Sequence, residues 1–288
     1  GKELLQKGKV QFVITIPDNF TRDLIRGDKP SLLIEIDATD PVTIAGAAAS
    51  VQGVILSIIK RDMTGPLLHL SGELPAFDID IQRLYNPEGL TSYNIVPGLV
   101  ALILTITCLV MTALALTKER ERGNMENLLS MPVRPIEVMM GKIGPYILIG
   151  YIQAIIILLM AKYAFHVPIL GSVLLLMGLI LIFIICNLAL GFSISTAAKN
   201  QTQALQMSMM TLIPSILLSG FAFPFYGMPM WAQWIGSCLP MTYFVRIARG
   251  IILKGNNFAE VLPHTIPLLI FMVLITAFTM KIYKKTLD

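Results

Sequence analysis

The sequence predicts a membrane-embedded all-α bundle carrying a small inserted α/β domain, and three observations point there. Hydrophobic residues fill 55% of the 288 positions and charged residues only 14%, against about 25% charged in ordinary soluble domains. The charge is unevenly spread: residues 1–94 hold 9 Lys and Arg with 12 Asp and Glu, whereas residues 95–288 hold 13 and 6. The second region contains five long runs without Asp, Glu, Lys or Arg, each near the length needed to cross a bilayer. A disordered chain is excluded, and an ordinary soluble enzyme fits poorly. The natural boundary falls at 94/95, with an α/β domain before it and a transmembrane domain after it.

The α/β domain is read first. Gln11 to Ile16 alternates and is rich in β-branched residues, which predicts a strand. Pro17-Asp18-Asn19 offers a helix cap, Phe20 to Ile25 the helix, and Gly27 its stop. Ser31 to Ile36 is a second strand, and further strands are expected near Leu67 to Leu70 and Ile79 to Leu84. Between them, a helix runs from Asp40-Pro41 to Ile59 and ends at Lys60-Arg61-Asp62. Pro41 to Ile59 is uncharged and long enough to span a membrane. Thr43, Ser50, Gln52, Ser57 and the small residues at 45–49 favour a helix packed on a sheet instead.

The five spans are expected at Ile95–Thr117, Ile143–Ala161, Ile169–Thr196, Gln203–Phe223 and Pro263–Met280. Lys and Arg in short loops set orientation. The segment 118–142, the loop holding Lys199 and the tail after Met280 share one side and carry 9 basic residues; the other side carries 4. The richer side is expected to be cytoplasmic, which puts residues 1–94 outside the cytoplasm and the C-terminus inside. A translocated domain needs a preceding span or signal, so a sixth span is expected ahead of Gly1 in the full protein.

The stretch 224–262 is too apolar for a solvated loop and too broken by Gly and Pro for one span. Its Trp231, Trp234 and Tyr243 favour interfacial depth, and two short re-entrant helices fit it. Between the first two spans, Lys118 to Pro132 packs mixed charge directly beyond a membrane exit, followed by Leu128, Leu129 and Met131. A short amphipathic helix over 118–132, stopped by Pro132, is expected to lie along the membrane surface. It would present charge and apolar anchors to a soluble partner, or simply be a solvated juxtamembrane helix with internal ion pairs.

E-R-E-R-G-N-M-E-N-L-L-S-M-P-V at 119–133 resembles the signature of type-2 ATP-binding-cassette (ABC) transporter permeases, which commonly show E-x-G-T-x-E-x-L with a Pro soon after. The likeness extends to Asn94-Ile95-Val96-Pro97-Gly98, Gly141-Lys142-Ile143-Gly144-Pro145-Tyr146 and Phe165-His166-Val167-Pro168. It continues through Leu218 to Pro224, Met228-Pro229 and Leu239 to Phe244. Ile16 to Phe20 and Ile36 to Asp40 resemble the extracytoplasmic domain of the multidrug-exporter branch. Asn124 departs from the usual Thr, a change between small polar residues.

The resemblance implies a bacterial inner-membrane permease subunit, working with a second copy or a paralogue, that exports drugs or small amphiphiles. A separate ABC ATPase subunit would supply ATP hydrolysis and dock on the coupling helix. Carried over by position, Glu119, Arg120, Glu121, Arg122, Gly123, Glu126, Leu129 and Pro132 would form that contact. The chain itself would be no enzyme, hold no cofactor and bind no nucleic acid.

The residues agree on several counts. No Walker-type phosphate loop occurs. The five runs carry no Asp, Glu, Lys or Arg, so no carboxylate relay or ion site is visible, and His264 at the mouth of the last run reads as an interfacial residue. His69 and His166 have no acidic or cysteine companion at ligand spacing, so no metal site is expected. Cys108, Cys186 and Cys238 imply no disulfide framework. Met207, Met209 and Met210 suit packing or an adaptable pathway, and Pro214 a tolerated kink. The competing class is a membrane-anchored sensor or structural protein using residues 1–94 to bind a ligand. A lipid-modifying enzyme would need an acid/base or nucleophile cluster that the sequence does not offer.

Overall fold

The computed structural model describes residues 1–6, 8, 10–26, 28–39, 53, 57, 78–122 and 135–285. The chain divides into two compact units, Gly1–Asn94 and Ile95–Asp288. The predicted helix over 41–59 and strand near 67–70 lie almost wholly outside the described residues.

Among the described residues, the first unit holds a three-stranded mixed sheet of order β1-β2-β3. Helix α1 (Lys2–Gln6) precedes β1 (Phe12–Thr15), and α2 (Phe20–Arg26) links it to β2 (Ser31–Asp37). Strand β1 pairs antiparallel with β2 in the register Phe12↔Ile36. Strand β3 (Asp78–Leu84) pairs parallel with β2, in the register Ser31↔Asp78. As the central strand, β2 reads as a nearly continuous apolar run and buries Leu32, Ile34 and Ile36. Leu5 and Leu24 of the two helices join that core. The buried carboxylate of Glu35 is compensated by Lys2, 3.3 Å away. After β3, the Asn86 side chain donates to the Leu90 carbonyl at 3.0 Å and accepts the Leu90 N–H at 2.9 Å, which fixes the exit of the chain.

The second unit is helical: α3 (Thr91–Glu121, beginning just inside the first unit), α4 (Pro135–Tyr163), α5 (Val173–Ala197), α6 (Gln201–Leu218), a 3-10 turn at Phe225–Gly227, α7 (Met230–Ser237), α8 (Pro240–Lys254) and α9 (Phe258–Lys285). Four helices among the described residues are long and apolar enough to cross a membrane: Thr91–Glu119, Ile143–Tyr163, Val173–Ala197 and Phe258–Met280. The fourth run expected to span, at Gln203–Phe223, forms α6 but is not among these four helices. Gln201, Gln203, Gln206, Ser208 and Thr211 make its first half too polar. Its end also comes earlier than expected, because Gly220 at φ 84° turns the chain after Ser219.

Other boundaries move as well. The last helix begins at Phe258 rather than Pro263, with Pro263 and Pro267 inside it. The Asn257 N–H donates to Glu260 Oε2 at 2.8 Å, a cap the apolar count could not see. The segment expected over 224–262 therefore ends at α9, and its body is the 3-10 turn with the two short helices α7 and α8.

Helix α5 is the hub, packed against α4, α6, α8 and α9. It buries Leu176, Ile180, Phe183, Ile184, Cys186 and Leu188 among others. Small residues set the closest approaches. A Cβ on Gly191 would stand 2.5 Å from the Leu109 carbonyl oxygen, so α3 and α5 touch backbone to backbone there. On the opposite stretch of α5, Phe183 stacks on Phe244 of α8 with ring centroids 4.2 Å apart.

Polar groups inside the bundle are met across helices. Gln153 of α4 donates to Thr107 of α3 at 3.0 Å, and the Tyr151 hydroxyl donates to the Met177 carbonyl of α5 at 3.1 Å. Such bonds hold helices together where apolar surface gives no preference over lipid.

Candidate functional site

The region singled out by sequence lies at the end of α3, where the described part of segment 118–132 continues the span helix as its last turn. Lys118, Glu121 and Arg122 are exposed and Glu119 is half-buried. The backbone of Arg120 belongs to the same turn. Gly123, Glu126, Leu129 and Pro132 lie outside the described residues. Basic side chains at this helix end suit the negative end of its dipole.

Glu121 faces a different helix end. Its carboxylate accepts the backbone N–H of Gln201, at 2.8 Å, and also the Gln201 side-chain amide. Gln201 is the first residue of α6, so its N–H has no partner inside its own helix. Here a negative charge sits where the positive end of the α6 dipole points. The Gln201 side-chain amide, and then its backbone N–H, hold the Glu121 carboxyl below the ordinary carboxylate range.

The start of α6 is capped on its other donors too. Asn200 accepts the Gln203 N–H at 2.8 Å, and Gln203 Oε1 accepts the Lys199 N–H at 2.8 Å. This reciprocal pattern follows the logic of a capping box. It was legible as N-x-x-Q in the sequence, whereas the link to Glu121 was not.

Two hydroxyl pairs tie the same end of the bundle together. Thr117 of α3 meets Ser195 of α5 at 3.0 Å, one turn inside the Glu121 contact. Ser193 of α5 meets Thr279 of α9, which also bonds the Ala189 carbonyl at 3.3 Å. Leu109, Ala113, Ile194, Ala198, Ala204 and Leu212 form the apolar cluster beneath, drawn from α3, α5 and α6. The last turn of α3 is thus fixed directly to α6 and through α5 to α9. Thr117, Ser193, Ser195, Gln201 and Thr279 escaped sequence reasoning, since isolated hydroxyls and amides in apolar runs carry no spacing signal.

Chemically, this arrangement is a set of hydrogen bonds that holds neighbouring helix ends together. Among the described residues no three His, Cys, Asp or Glu side chains gather as a metal site would require. Cys108 and Cys186 are buried free thiols and Cys238 an exposed one.

A family model described as "ABC-2 family transporter protein" matches residues 1–281. The chain belongs to the ABC-2 family. The match covers both the sheet-bearing unit and the helical one. Among curated relatives, "Inner membrane transport permease YhhJ" of Escherichia coli (strain K12) is 31% identical over 273 residues, covering 92% of this chain and 70% of that protein. "Probable multidrug ABC transporter permease YbhS" of the same strain is 29% identical over 256 residues, covering 88% of this chain and 67% of the relative. "Probable multidrug ABC transporter permease YbhR" is 28% identical over 262 residues, covering 91% and 70%. The resemblance drawn from the 119–133 motif and its companions is thereby shown at family level, and the apolar helices of the second unit are those of an ABC-2 membrane protein.

Proposed function

We propose that the chain is the permease part of an ATP-driven exporter, which moves drugs or small amphiphiles across the bacterial inner membrane. A separate ABC ATPase docks on segment 118–132, with Glu119, Arg120, Glu121, Arg122, Gly123, Glu126, Leu129 and Pro132 at the contact. Two permeases, identical or paralogous, enclose the pathway. Residues 1–94 stand outside the cytoplasm and the C-terminus inside, on the strength of the 9-to-4 bias of basic residues between the two sets of loops. The relatives named as multidrug permeases favour a drug or amphiphile as cargo.

The observation that carries this reading is the bond from Glu121 to the start of α6, backed by Thr117–Ser195. A soluble motor pushing on the loop after α3 moves a turn already fixed to three other helices. A rigid link of this kind converts displacement at a surface into rearrangement inside the membrane.

Helix α6 fits the role of the fifth span in a bundle with an enclosed pathway. Its 18 residues reach about 27 Å at ~1.5 Å each, close to the roughly 30 Å hydrocarbon core. Its exposed face mixes Thr202 and Gln206 with Met209, Met210 and Ile213. That mixture suits a second permease copy or a wet pathway better than lipid tails, and methionines adapt to varied cargo.

The test replaces Gly123 with Val and Glu126 with Lys in the full-length protein. The expected result is loss of ATPase co-purification and of efflux, with membrane insertion intact. Unchanged ATPase association and efflux would instead support the sensor or structural reading, which has no use for a coupling segment.

A further inference from the structure

Helix α8 buries most of its surface, including Phe244, Ile247, Ala248 and Ile251, and leaves one narrow polar stripe. Tyr243, Arg246 and Arg249 lie along it, each half-buried, at successive turns. The Tyr243 hydroxyl is spent on the Ser237 carbonyl at 2.7 Å. Arg246 is different. Its guanidinium lies over the Phe225 ring, 4.3 Å from the centroid, with Tyr226 at 5.7 Å. The two rings give it cation–π contact, and neither forms a hydrogen bond with it among the described residues. Nη2 of Arg246 is buried and meets no acceptor among the described residues.

Two further basic residues follow along the helix, Arg249 one turn later and Lys254 at its end. The nearest acidic residue along the chain is Glu260, whose Oε2 takes the Asn257 N–H. Beside this cation the surface is aromatic. Tyr226, Trp231 and Trp234 are 58%, 65% and 74% exposed, and Phe223 and Met230 are exposed with them. Trp and Tyr displayed this way favour the level of lipid headgroups. A cation at such depth without a carboxylate partner marks a binding site rather than a packing choice.

We propose that Arg246, framed by Phe225 and Tyr226, seats the phosphate of an anionic phospholipid whose chains lie against the Trp231–Trp234 face of α7. The planar fork of arginine matches phosphate oxygens. The aromatic face supplies the apolar half that a free anion would not use, and charge complementarity selects an acidic lipid. The site rests on the interfacial placement of α7 and α8, not on the transport reading itself.

The test uses the full-length protein in detergent, with phosphatidylglycerol, phosphatidylcholine and inorganic phosphate as probes in native mass spectrometry. Wild type is expected to retain phosphatidylglycerol several-fold over phosphatidylcholine. Arg246→Gln brings the two to parity, Arg246→Lys keeps part of the preference, and Lys162→Gln, at another exposed cation, changes nothing. An undiminished preference in Arg246→Gln overturns the proposal, as does displacement of the lipid by millimolar inorganic phosphate, which would mark a plain anion site. If Arg246→Gln fails to fold, Trp231→Ala with Trp234→Ala is the second arm: weakened retention is expected and unchanged retention refutes the seat. Loss of ATPase co-purification is read separately, so failure of the transport reading leaves the lipid result standing.

Discussion

Glu121 closes the helix end that begins at Gln201, 80 residues further along the chain, taking both its backbone N–H and its side-chain amide. A residue singled out for an external partner is therefore already engaged within its own bundle.

This contact is sensitive to pH, and its sign follows from the lowered folded-state value. The ionised carboxylate stabilises the contact above the ordinary glutamate range, near ~4.3. That contribution is lost as pH falls through the lower folded value. Amide exchange at Gln201 is expected to stay slow at neutral pH and quicken in acid. Glu121→Gln is expected to make it fast throughout, without the acid step. Slow exchange in Glu121→Gln would show that the carboxylate is dispensable.

Gly191 and Gly178 form a matched pair on α5. A Cβ at 191 meets the Leu109 carbonyl oxygen at 2.5 Å, whereas one at 178 meets nothing within 4 Å. Gly191→Ala is expected to cost about 1–3 kcal/mol by overpacking. Gly178→Ala is expected to be neutral or to gain up to ~1 kcal/mol of helix propensity. Thermal denaturation of the two variants in detergent decides it; equal melting temperatures would contradict the close approach.

Thr117 and Ser195 are suited to a double-mutant cycle. The pair is 3.0 Å apart, and interhelical bonds of this sort couple by about 0.6 kcal/mol on average. Thr117→Val with Ser195→Ala is expected to be less destabilising than the summed single changes by about that amount. Strict additivity would mean that the two hydroxyls act only within their own helices, since Thr117 also bonds the Ala113 carbonyl at 2.8 Å.

Phe183 and Phe244 anchor α8 on α5. Both are fully buried, so Phe244→Ala is expected to cost about 3–5 kcal/mol. Within that, the stacked pair itself contributes about 0.5–1.5 kcal/mol, measurable by a cycle with Phe183→Ala. Protease sensitivity of the 225–257 segment should rise in parallel.

The elements that rest on strong periodic or compositional signals were readable from the residues. Strand β2, helix α2 and the four most apolar helices appear where Ser31–Ile36, Phe20–Ile25 and the uncharged runs put them. The misread boundaries are those governed by one local feature each: the Asn257–Glu260 hydrogen bond extends α9 upstream, and the positive φ of Gly220 ends α6 early. The fourth run, Gln203–Phe223, was read from absent charges alone, a criterion blind to Gln203 and Gln206. At the candidate site, the motif drew attention to the end of α3, but what that end touches depends on a contact 80 residues away, and no local pattern encodes it. Arg246 was visible only as a loop charge; its position over Phe225 belongs to tertiary structure.

The short link between α5 and α6 bears on how the protein is made. Only residues 198–200 separate a strongly apolar helix from one rich in amides at its start. Left alone during synthesis, α6 would partition weakly into the bilayer. On the proposed topology, so short a turn to α5 would make it the second arm of a helical hairpin, with the Asn200 and Gln203 caps holding the bend. Lengthening that turn would therefore uncouple insertion of the two helices before it touched any step of the working cycle.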